Sequence, residues 1–88
     1  MAIVRKLKKI LEDRFPPPDK VSLRDDDRII GVVTSKRFRR MDSMKRQDLI
    51  HDILTKHLTA EERRHVLVIV GVTPEEEIAN ATDEEERG

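Results

Sequence analysis

Lys36, Arg37, Arg39, Arg40, Lys45 and Arg46 place six cations within eleven residues, the densest chemically capable set in this 88-residue sequence. Six phosphate contacts would give measurable, salt-dependent nucleic-acid binding through displaced counterions. The segment also leads into a helix start, where free backbone N–H groups favour anions. It therefore reads as the contact surface for an anionic partner, protein or nucleic acid. The plainer reading is a solvated basic face. Base stacking is not on offer, because the only aromatic residues, Phe15 and Phe38, sit at core positions of their segments.

The other reactive residue types form weaker sets. There is no cysteine, so disulfides, thiolate metal sites and thiol nucleophiles are excluded within this chain. His51 and His57 are six apart, neither i+3 nor i+4, and do not share a helix face for chelation. Asp25-Asp26-Asp27 lacks the alternating carboxylates and distal Glu of a calcium loop and reads as a solvated turn. Ser22, Ser35 and Ser43 have no nucleophile-elbow context. A chain this short leaves little room for a deep pocket, so the expectation is a protein that is not an enzyme.

Periodicity supplies the elements that would position these residues. Ile3, Val4, Leu7, Ile10, Leu11 and Phe15 recur at helical spacing, predicting a helix over 2–14 that Pro16-Pro17-Pro18 stops. Val21-Ser22-Leu23 alternates as a half-buried strand does, and Ile29–Val33 is rich in β-branched residues. With the Asp triplet as the turn, strands near 20–24 and 28–34 make a hairpin. Ser35 can cap a short helical turn that directs Phe38 inward. A helix follows over 43–57, with Met44, Ile50, Ile53, Leu54 and Leu58 as its apolar stripe. Thr59-Ala60-Glu61-Glu62 and Thr73-Pro74-Glu75-Glu76 both read as capping boxes. Between them, residues 65–72 form the most apolar run, expected to be a strand buried on both faces or nearly so. Gly31 and Gly71, inside strands, read as packing or bulge positions. The order α-β-β-α-β-α predicts one small α/β (α+β) domain. A right-handed crossover returns the third strand parallel to the second, giving a three-stranded mixed sheet with helices on one face.

Taken in order, these residues resemble the BolA family, whose fold is similar to the class II KH domain. Val32-Val33-Thr34-Ser35-Lys36-Arg37-Phe38 looks like the family's strand end and Ser-x-x-Phe turn. Arg46–His51 falls where the family has Arg-His-Arg-x-apolar-Tyr, and Leu54 and Leu58 match its following leucines. His65-Val66-Leu67-Val68 resembles the His-Ala-Leu strand start, and Thr73-Pro74-Glu75-Glu76 is similar to the family's ending. The similarity runs from Val4 to Glu77. Gln47 replaces the helix histidine, Arg40 a glycine and His51 the tyrosine, and the hairpin loop offers aspartates where a His or Cys is usual. The resemblance implies an interaction or regulatory module linked to stress responses. It would dock on a partner protein, a monothiol glutaredoxin, with which members share a [2Fe–2S] cluster through the strand-start histidine and the loop ligand. Only the first of these, His65, is present, so no cofactor is expected on the chain alone. The plainer reading of His65 is a strand-edge histidine.

Charge is distributed unevenly. Residues 1–64 hold 17 of the 18 cations and 11 of the 18 acids, a net +6, and residues 65–88 carry −6. This divides the chain into a domain over 1–78 and an acidic tail over 79–88 that competes for the basic surface. No apolar run reaches the roughly 20 residues of a membrane span, and a cytoplasmic monomer or weak dimer is the expectation. The leading reading is the BolA-like docking module; the alternative is a small nucleic-acid-binding domain using the basic turn 36–46.

Overall fold

The computed structural model describes residues 2–77. Helix α1 (Ala2–Arg14) is followed by the hairpin strands β1 (Lys20–Asp26) and β2 (Arg28–Thr34). A 3-10 turn (Lys36–Arg40), helix α2 (Ser43–His57), the single turn α3 (Ala60–Arg63) and strand β3 (Val66–Val72) complete the order, and a helical turn begins at Pro74. The fold is a small α+β domain with a three-stranded mixed sheet, β1 antiparallel to β2 and β3 parallel to β2. The 79–88 tail lies outside the described residues.

Each helix face follows from its spacing. Leu7 and Leu11 of α1, with Phe15 just after it, are fully buried and meet Ile50, Ile53, Leu54 and Leu58 of α2 and its C-cap over the sheet. The sheet contributes Ile29, Val33 and Ile69 to this core, so α1 and α2 pack on one face of the sheet. Caps follow the sequence signals: Asp42 Oδ1 accepts from the Lys45 N–H at 2.9 Å, and the Thr59/Glu62 and Thr73/Glu76 boxes are both closed.

Three expectations are corrected. The Asp triplet is not all turn: β1 runs through Asp26, and only Asp27 occupies the tip, at φ 72°, a left-handed conformation that Asp tolerates better than most residues. The apolar run 65–72 is not buried on both faces. The strand order β1-β2-β3 makes β3 an edge strand, and its alternation sends Val68 and Val70 away from the helices. Its pairing with β2 also slips: Ile29 pairs with Val66 and Ile30 with Val68, leaving Leu67 as the extra residue, 55% exposed. Met44 does not belong to the α2 stripe and is 76% exposed. It lies six residues before Ile50, off that face; the positions three and four before Ile50 are Gln47 and Arg46.

Candidate functional site

The basic turn is built on two capped helical ends. Ser35 is buried; its Oγ accepts the Arg37 N–H at 3.1 Å and donates to Asp19 Oδ2 at 2.9 Å. This fixes the 3-10 turn and drives Phe38 into the core, 5.5 Å from the Phe15 ring centroid. The backbone then runs through Met41 and Asp42 into α2.

Arg46 closes this corner. Its Nε donates to Met41 O at 2.9 Å, its Nη2 to Phe38 O at 2.7 Å, and its Nη1 to Gly71 O at 3.1 Å and to Glu76 Oε1 at 2.8 Å. The guanidinium also lies over the Phe38 ring, 5.7 Å from its centroid. Beside it, Gln47 Nε2 donates to Ile69 O at 3.2 Å. Arg39 makes a two-pronged pair with Glu75, at 2.8 and 2.9 Å. The hydrogen bond from Arg39 holds the Glu75 carboxyl below its ordinary range and raises the already high Arg39 pKa in turn. Glu76 is lowered chiefly by the Thr73 N–H it accepts, and then by Arg46.

The six cations therefore divide. Arg39 and Arg46 are held in cis by Glu75 and Glu76, the acids that open the last helical turn. Lys36, Arg37, Arg40 and Lys45 are exposed and make no ion pair among the described residues. They do not converge on one point: the Arg37 guanidinium lies over Phe15, 5.4 Å from the ring centroid. Lys36 instead borders a small hollow with Asp19, Lys20 and Glu77. From its sequence Arg46 reads as part of the contact surface; the one signal for an inward position is that it sits one turn before Ile50. Nothing in the sequence marks its acidic partner, 30 residues away.

The opposite end of the sheet carries His65. The side chain is exposed and immediately precedes β3. Its backbone oxygen accepts the Ile29 N–H at 2.7 Å, which ties the strand start to the hairpin tip at Asp27 and Arg28. Asp25, Asp26 and Asp27 are exposed at the same end of the sheet. His51 is exposed on α2 and lines the groove between α2 and β3, and His57 is exposed at the α2 end. Among the described residues no three His, Cys, Asp or Glu side chains converge as a metal site. The hairpin end offers one imidazole and no thiolate.

No family model matches the chain, and no curated protein and no solved structure is significantly similar to it. Among the described residues no helix is long and apolar enough to cross a membrane.

Proposed function

We propose that the domain is a non-enzymatic, BolA-like interaction module that docks on a partner protein through the hairpin end of its sheet. The observation that carries this reading is that His65, exposed at the start of β3, is tied to the hairpin through its backbone: its carbonyl oxygen accepts the Ile29 N–H at 2.7 Å, two residues from the Asp27 tip. The resemblance points to a monothiol glutaredoxin as the partner. In such a complex His65 is the one ligand this chain would offer to a shared [2Fe–2S] cluster, the remaining ligands coming from the partner. The basic turn is the less favoured surface, because Glu75 and Glu76 already occupy two of its six cations.

The test is a titration of the isotope-labelled full chain with a monothiol glutaredoxin, without and with its cluster, followed by amide chemical shifts. Shifts are expected at 26–29 and 64–66, and His65→Ala should weaken binding and alter the visible circular dichroism of the cluster-bearing mixture. Shifts confined to 36–46, or the same titration answered by duplex DNA or an RNA hairpin instead, would transfer the function to the basic turn.

A further inference from the structure

The 3-10 turn sorts its own cations. With three residues per turn, side chains three apart eclipse one another. Lys36 therefore stands in a row with Arg39, and Arg37 in a row with Arg40, while buried Ser35 and Phe38 form the inward row. The two cation rows meet different surroundings. Arg37 and Arg40 are exposed, with the Arg37 guanidinium over the Phe15 ring. The Lys36/Arg39 row is covered by the chain just after β3: Lys36 shares one hollow with Pro74 and Glu77, and Arg39 holds Glu75.

The two ion pairs made by this last helical turn differ in kind. Arg46 is 14% exposed and serves three backbone oxygens, and Glu76 also accepts the Thr73 N–H. That pair belongs to the fold. Arg39 and Glu75 are 51% and 58% exposed, and neither side chain bonds any other described residue. An exposed pair of this kind adds little to stability. What it does is fill the Arg39 fork. Nε and Nη2 donate to the two carboxylate oxygens at 2.8 and 2.9 Å, the two-pronged geometry by which a guanidinium also receives a phosphate.

We propose that the 3-10 turn is a binding surface for a nucleic-acid phosphate backbone, masked in cis by the turn after β3, with Glu75 occupying the Arg39 fork in place of a phosphate. The local charge balance fits a masked site. Residues 36–46 carry six cations and one acid, Asp42, a net +5, and Glu75, Glu76 and Glu77 lower this to +2. Lys20 and Asp19, which also border the hollow, offset each other. Two rows of cations, with no single point of convergence, suit a ladder of phosphates better than one small anion. An acidic protein segment fits less well, because it would draw most of its affinity from a buried anchor, and the apolar side chain between the rows, Phe38, is already inside the core. With both aromatic rings buried, the contact is to backbone and carries no sequence preference.

Anisotropy of a short labelled DNA duplex, titrated with the full chain at several low salt concentrations, tests this. The parent should bind weakly. Glu75→Gln keeps the size of the side chain and removes its charge, and should tighten binding several-fold with an unchanged circular dichroism spectrum. It should also steepen the fall of log K with log salt by about 0.9, the value of one added phosphate contact. The Arg39 Nε–H resonance of this variant should move when duplex is added. Arg39→Gln combined with Glu75→Gln should return the affinity to the parent's. Glu61→Gln makes the same change in net charge at an exposed site on α3, outside this corner, and should leave binding almost unaltered. An equal gain from Glu61→Gln, or a gain that survives Arg39→Gln, would show that net charge and not masking governs the affinity, and would overturn the proposal. So would poly-glutamate bound more tightly than the duplex, or no binding by any variant at low salt. The glutaredoxin titration reads the hairpin end of the sheet, so the two proposals stand or fall separately.

Discussion

The far edge of the Phe38 ring closes directly on Gly71, so that a Cβ at residue 71 would lie 2.8 Å from Phe38 Cζ and 2.9 Å from Cε2. Phe38 reaches this position because Ser35 caps the turn that carries it, and Gly71 receives it because β3 passes beneath. The contact joins the basic turn to the strand that His65 opens. Arg46 then seals it from above.

Gly71→Ala should destabilise the domain by about 1–3 kcal/mol, the usual range for overpacking a filled core. The ring is buried and cannot swing away. Gly31→Ala meets Leu23 Cδ2 at 2.6 Å, the movable end of a half-buried side chain, and should cost less. Urea denaturation of both variants checks the order.

Arg46→Lys should be nearly as harmful as Arg46→Ala. The guanidinium serves three backbone oxygens from one planar group, and an ammonium cannot reach all of them. Each carbonyl left without a partner in this half-buried corner adds to a loss of about 2–3 kcal/mol. Thermal unfolding of the two variants side by side measures it. A lysine variant as stable as the parent would mean that charge, and not geometry, is what the site needs.

Met44→Gln should change stability by no more than about 0.5 kcal/mol, as exposed substitutions do, whereas Ile50→Ala on the same helix should cost about 2–5 kcal/mol. Equal effects would place Met44 back on the buried stripe.

Acidification should weaken the fold. Glu62, Glu75 and Glu76 all have carboxyls lowered in the folded chain: Glu62 by the Thr59 N–H and then Lys6, Glu75 by Arg39, Glu76 by the Thr73 N–H and then Arg46. Depressed folded values mean that their stabilisation is complete above the ordinary glutamate pKa, about 4.3. It is lost as pH falls below that value and through the folded ones. Glu75 and Glu76 are exposed and Glu62 is half-buried, so screening by salt should shrink the effect. Urea midpoints between neutral pH and pH 3 at two salt concentrations follow it, and Glu76→Gln should show the shallower acid loss.

Local physical chemistry was enough to read the element order from the sequence. Pro16-Pro17-Pro18 ends α1 because a proline denies the preceding residue its helical backbone. Thr59 and Thr73 open helical turns because a hydroxyl and a Glu three residues on satisfy each other's free N–H groups. Leu7, Leu11 and Phe15 share a face because of the 3.6-residue period. Each of these effects acts within one turn of chain. The rest depended on partners far apart in sequence. That β3 stands at an edge, with Val68 and Val70 outward, depends on which strand lies beside it. That Arg39 and Arg46 face Glu75 and Glu76 depends on where 30 to 36 residues of intervening fold return the chain. Residue type alone could not separate the cations the domain uses internally from those it leaves to solvent, because that distinction is a distance, and only the packed sheet and helices set it.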